Sequence, residues 1–246
     1  MGPFSLIVAL GVALLEAAVV YKALQNTRCA RLLAGLPWSE VGQLQPGLAK
    51  VQGQALATGE TLSAPLSGRE CVYFHFQVQE KRQRGGVPPH GGGSYWKTVI
   101  NDIRHVPCTL DDGSGSAALR IKSAELLLSP DASERTGFLQ SARPELEKML
   151  RKRYGYSSVG LIFNRTLSYS ETRIEDGDYL LVLGTARQLP EGGWELARGD
   201  GPLLISDQPL PTLLSSYRRA AFLWWSLVVL LLAAAGAAVI GLWGLR

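Results

Sequence analysis

The chain has 246 residues, a hydrophobic fraction of 46% and a formal net charge of +4, enough length for one sizeable domain or two small ones. So modest a charge, much of it beside two apolar runs, argues against a role driven by nucleic-acid phosphates and fits attraction to anionic lipid. Three cysteines, Cys29, Cys71 and Cys108, exclude a disulfide framework and fit free thiols in a reducing compartment, with a single Cys71–Cys108 bridge left open.

The first element, over residues 1–25, is a transmembrane helix: Pro3 to Leu24 is apolar except for Glu16 and Lys22, and about 20 helical residues cross a bilayer core. A cleaved signal peptide is the alternative, but no Lys or Arg precedes the run and no small-x-small site follows it. The last element, 220–244, is a second span, because Ala220 to Trp243 carries no charge. Lys22, Arg28 and Arg31 follow the first span, and Arg218 and Arg219 precede the second. The positive-inside bias therefore puts the middle domain in the cytoplasm of a prokaryotic host and both termini on the opposite side; in an organelle the rule is weaker. Glu16 is the one intramembrane acid, costly wherever it is central. Ala9, Ala13 and Ala17, and Ala233, Ala237 and Gly241, form small-x-x-x-small strips suited to close helix packing.

Between the spans, residues 26–47 read as a linker with one short helix capped by Ser39. The β domain, 48–210, opens with a strand over Ala49 to Ala57. A turn at Ser63 to Arg69 feeds an aromatic and β-branched strand at Cys71 to Val78. Lys81 to Gly93, with five glycines and two prolines, reads as an unstructured hairpin loop. Strands are expected at Tyr95 to Ile100, His105 to Leu110 and Ala117 to Ile121, the last two joined by a turn at Asp111 to Gly115. Arg143 to Tyr154 has the period of a helix, with Ser141 as cap, Pro144 in the first turn, acids first and bases last. Long strands at Val159 to Ile174 and Tyr179 to Gln188, then short ones at Trp194 to Ala197 and Leu203 to Ser206, precede a juxtamembrane segment at 211–219. About eight strands and one helix predict a mainly β fold, a compact antiparallel barrel or sandwich between two transmembrane helices.

Leu44-Gln-Pro-Gly47, Pro65-Leu-Ser-Gly68 with Cys71-Val-Tyr-Phe74, Trp96, Asp111-Asp-Gly-Ser-Gly115, Tyr169-Ser-Glu171 and Gly177-Asp-Tyr-Leu-Leu-Val-Leu-Gly184 follow one another along the chain. Taken in this order they resemble the GIDE domain, also called the BAM domain, of mitochondrial GIDE/MULAN-type E3 ubiquitin ligases and their prokaryotic relatives, and the chain resembles a prokaryotic-type member. The resemblance implies a shared scaffold carried by Pro65, Gly68, Cys71, Tyr73, Trp96, Asp112, Gly115, Glu171, Gly177 and Gly184. It does not carry over ligase activity, which belongs to a RING finger. A RING needs eight Cys or His ligands for two Zn²⁺ ions; the chain has three of each, scattered. No zinc and no other cofactor is expected.

The remaining chemistry is sparse. His75, His90 and His105 have no metal-ligand spacing, and Cys71 on a strand reads as core before nucleophile. Asp111 to Gly115 lacks the closing Glu of a calcium loop and reads as a turn. Asn164-Arg165-Thr166 is a formal glycosylation sequon, irrelevant to a cytoplasmic domain. Two basic clusters, Lys81, Arg82 and Arg84 in the glycine loop and Lys148, Arg151, Lys152 and Arg153 on the helix, are the candidate contacts for lipid headgroups or an acidic protein partner. The strand aromatics alternate as core does, so nucleic acid is not expected. These features predict a non-enzymatic two-span membrane protein whose β domain is an interaction module, with membrane lipids and a protein partner or self-association as its contacts. The alternatives are ligase-like action with a zinc module supplied in trans, and an oligomeric effector that permeabilises the membrane.

Overall fold

A computed structural model describes residues 3–83, 93–135, 144–158 and 166–244, with side chains described from Leu10 to Ala237 outside the gaps and excepting 134 and 135. Arg84, His90, the Ser141 cap, Asn164 and Arg165 of the sequon, most of the glycine loop and the start of the strand expected from Val159 lie outside the described residues, as do the side chain of Ala9 and the surroundings of Gly241.

In chain order, α1 (Pro3–Gly35) leads through a short 3-10 turn at Val41–Gln43 to β1 (Gly47–Ala57). Two short strands, β2 (Leu62–Ser63) and β3 (Glu70–Cys71), pair before the long hairpin of β4 (Tyr73–Gln83) and β5 (Ser94–His105). β6 (Cys108–Asp111), β7 (Ser116–Leu119), β8 (Glu125–Leu127) and β9 (Ala132–Arg135) precede α2 (Pro144–Tyr154). β10 (Leu167–Ile174), β11 (Tyr179–Gln188), β12 (Trp194–Ala197) and β13 (Leu204–Ser206) complete the strands, and α3 (Leu210–Gly244) ends the chain.

The residues divide into two units, the two long helices (Met1–Pro37 with Pro209–Arg246) and a mainly β unit, Trp38–Gln208. α1 does not stop at residue 25: it runs through the first part of the expected linker to Gly35, because Ala30 to Ala34 is built of good helix formers and no Gly or Pro interrupts the chain before Gly35 and Pro37. Leu210–Ala237 within α3 is, among the described residues, the one segment long and apolar enough to cross a membrane. The exposed positions of α1 include Ala13 and Ala17, and those of α3 include Ala233 and Ala237. The described members of the small-residue strips are therefore exposed, while the buried positions of the two helices include Val19, Ala23 and Leu33 on α1 and Leu213 and Val228 on α3.

The β unit is built around a closed barrel. β1 pairs antiparallel with β11 on one side and with β6 on the other, β6 with β7, β7 parallel with β12, and β12 with β11, which closes the ring. Numbered within the barrel, β1, β6, β7, β11 and β12 are strands one to five, and the ring runs one, two, three, five, four, one, with three and five parallel. That is the strand order of an OB barrel. β13 and β8 extend the sheet from β11. The core is apolar, with Val51, Leu110, Val182, Leu196 and Ile205 fully buried. Gly53 on β1 is required by close approach: a Cβ there would lie 2.4 Å from the Asp111 carbonyl oxygen.

A second sheet, ordered β5-β4-β10-β9, carries α2 on one face. Phe74, Phe76 and Val78 alternate inward along β4 and share a buried cluster with Leu146 and Leu150 of α2, the period-2 and period-3.6 patterns meeting at one apolar seam. Three further expectations are corrected. Lys81 and Arg82 sit on a strand, since β4 pairs onward through Lys81↔Trp96, Arg82↔Tyr95 and Gln83↔Ser94, and the glycines begin only after Arg84. The strand expected at His105 to Leu110 is broken by Pro107, which lacks a ladder donor, so β5 ends at His105 and β6 begins at Cys108. The turn at Val41–Gln43 has no side-chain cap from its own N-cap residue; its Val41 N–H donates instead to the Asp112 carboxylate. β8 and β9, too short and irregular for a periodic signal, were not foreseen.

Candidate functional site

The motif residues assemble into two hydrogen-bonded locks. Glu171 on β10 is fully buried; its carboxylate accepts from the Leu66 N–H and the Ser67 hydroxyl, both at 2.6 Å. It thereby pins the Pro65-Leu66-Ser67-Gly68 turn, in which Gly68 takes φ +72° and its N–H donates to the Ala64 carbonyl. Arg173, with its side chain 8% exposed, lies 3.6 Å from Glu171 and 2.7 Å from Glu175, and Arg69 reaches Glu175 at 3.2 Å. Burial works against the Arg173 charge, but the bond to Glu175 and the surrounding carboxylates raise its pKa.

The second lock is the Asp111 to Gly115 turn. Asp112 Oδ2 accepts the Val41 N–H at 2.8 Å, Oδ1 accepts the Ser114 N–H and hydroxyl, and Ser114 Oγ accepts the Gly42 N–H. Burial alone would raise the Asp112 pKa; these donors lower it. Gly115 lies against Gly42 and Val41. The carboxylate oxygens are occupied in tying the β6–β7 turn to the 3-10 turn at Val41–Gln43. Gly177 supplies the left-handed residue (φ +92°) before β11, and Gly184 leaves room for Leu203.

Cys71 and Cys108 are free and buried, and burial pushes both thiols up to about 11, with the Glu171 charge adding at Cys71. A thiol so raised stays protonated at neutral pH and is a poor nucleophile. Tyr73 packs into the barrel core. Trp96 is 41% exposed, opposite Lys81. His75 Nε2 is 2.7 Å from Asn101 Oδ1.

The basic clusters are partly neutralised from within. Arg82 bonds Glu80 at 2.6 Å, Arg151 bonds Glu147 at 3.0 Å, and Arg153 lies 3.4 Å from Asp102, with its guanidinium over the Phe74 and Tyr154 rings. Lys81, Lys148 and Lys152 are exposed and form no ion pair among the described residues. The two clusters share one sheet-and-helix layer, which the sequence spacing did not foresee.

A concave surface of the β unit lies elsewhere. An open cleft of about 850 Å³ on the β6–β7–β12 wall is lined by His105, Arg120, Lys122 and Arg198, with Glu195 as its one carboxylate. Arg120 pairs with Glu195, while Lys122 and Arg198 are exposed. Ala118, Leu119 and Ile121 form an apolar floor. Excess positive charge over an apolar floor suits an anionic group on a partner or ligand. The cleft joins the end of β5, the β7–turn segment and the end of β12; the only local signal for it is the basic pair Arg120 and Lys122 flanking a strand end. No family model, no curated protein and no solved structure matches the chain.

Proposed function

We propose that this chain is a non-enzymatic, membrane-anchored interaction module of the GIDE/BAM kind, which docks an acidic protein partner at the basic cleft of its barrel. The observation that carries this reading is the cleft itself: a site-sized hollow whose exposed cations Lys122 and Arg198 form no ion pair among the described residues, while the buried acids and thiols of the motif set are spent on structure. The exposed Ser67 hydroxyl and the buried Glu171 carboxylate hold a turn, and Cys108 beneath the cleft is kept protonated. A binding role asks only for charge and shape; nucleophilic catalysis asks for an activated base–nucleophile pair.

Two spans anchor the module on this reading. α1 is continuous from Pro3 to Gly35, and its first 22 residues hold only Glu16 and Lys22 as charges, so α1 crosses beside α3 and the β unit sits on the basic, cytoplasmic side. Photo-crosslinking in native membranes from probes at Lys122, Arg82 and Arg151 tests the docking. One recurrent protein adduct from Lys122, abolished by Arg198→Glu, is the expected result. Adducts from Arg82 or Arg151 alone move the docking face to the sheet-and-helix layer, and lipid adducts alone remove the docking function.

A further inference from the structure

A crevice of about 560 Å³ lies within the helical unit, lined by Leu24, Thr27, Arg28, Arg31 and Leu32 of α1 and by Trp225 of α3. Arg28 and Arg31 are three residues apart and so share a helix face. The Trp225 indole N–H donates to the Thr27 hydroxyl at 3.1 Å, and that hydroxyl donates to the Ala23 carbonyl at 2.8 Å. The indole is therefore fixed against α1 beside the two guanidinium groups. None of the six lining residues is acidic, and the walls are otherwise apolar.

We propose that this crevice binds one anionic phospholipid, its phosphodiester held by Arg28 and Arg31 and its glycerol and upper acyl segment lying along Leu24, Leu32 and Trp225. The proposal rests on the reading that these helices cross a bilayer. The level of the crevice supports the assignment: the apolar run of α1 ends at Leu24 and that of α3 begins at Ala220, so the site falls where hydrocarbon gives way to headgroups. Trp is enriched at that level. Guanidinium groups match phosphate oxygens in bidentate fashion, and basic pockets between spanning helices take anionic headgroups. A free phosphate would satisfy the arginines and leave the apolar wall unused; an amphiphile uses both.

The test is native mass spectrometry of the full chain in detergent micelles with phosphatidylglycerol or phosphatidylcholine titrated in. A single phosphatidylglycerol adduct is expected at concentrations where phosphatidylcholine gives none. Arg28→Gln with Arg31→Gln is expected to weaken it roughly thirtyfold, whereas Arg218→Gln with Arg219→Gln, an equal loss of charge, leaves it in place. Equal weakening by both pairs, or no weakening by the first, overturns the site. Displacement by glycerol phosphate, which lacks acyl chains, reassigns the arginines to a free phosphate and overturns the lipid. Alkaline carbonate extraction of native membranes distinguishes the two ways of failing: a chain released by carbonate defeats the spanning reading, while a retained chain without a selective adduct defeats only the lipid site.

Discussion

Glu171 shows how much of the β unit depends on single side chains. Its carboxylate is buried, accepts two short hydrogen bonds from a turn 104 and 105 residues earlier in the chain, and faces Arg173. Removing one partner of a buried, hydrogen-bonded ion pair leaves the other uncompensated. Glu171→Ala is therefore expected to destabilise the β unit by about 3 kcal/mol and Ser67→Ala by about 1 kcal/mol, measured by thermal unfolding of the full chain in detergent. A Glu171→Ala variant as stable as the parent would show that the turn holds itself. At the same scale, the local meaning of Pro65 to Gly68 as a turn was legible, since Pro and Gly punctuate chains by their own backbone limits. The partner that locks it was not, because no local pattern encodes a contact across that separation.

At the scale of elements, α2 was legible over its described residues: a Pro in the first turn, acids before bases and an apolar stripe are all local signals, and the helix runs Pro144–Tyr154. The helix is tied down by the residues just past its C-terminal end. Glu147 accepts from the Ser157 and Ser158 hydroxyls, the Ser158 N–H and Arg151. Burial alone would raise its pKa, but these four donors bring it from 4.5 down to about 2. A carboxylate with a depressed folded pKa adds stability above its unfolded pKa and loses it as pH falls through the folded one. Ser157→Ala with Ser158→Ala should therefore lower the thermal midpoint at pH 6, and the difference should close as pH falls from about 4.5 to about 2. A difference independent of pH would assign the loss to packing.

The whole molecule couples a β unit to two long helices by direct chain continuation. Among the described residues one segment, Leu210–Ala237, is long and apolar enough to cross a bilayer, and the proposal of a second span rests on α1. Truncation separates one anchor from two. Deleting residues 209–246 should leave the chain in the membrane fraction after carbonate washing, held by α1, and deleting residues 1–36 as well should release it. Release by the first deletion alone would leave α3 as the sole anchor.

The sequence by itself determined whatever depends on near neighbours: the apolar termini, the bounds of β11 and β12, the α2 helix, and the turns at Gly68, Gly113 and Gly177. Only the tertiary structure decided that β1 closes on β11, that β7 runs parallel to β12, that Asp112 caps a turn 71 residues away, and that Arg120, Lys122 and Arg198 line one cleft. The reason is physical. Periodicity and turn chemistry are energies of residues a few positions apart, whereas barrel closure and ion-pair partners are set by which distant surfaces bury the most apolar area with every polar group satisfied, a property of the folded chain as a whole.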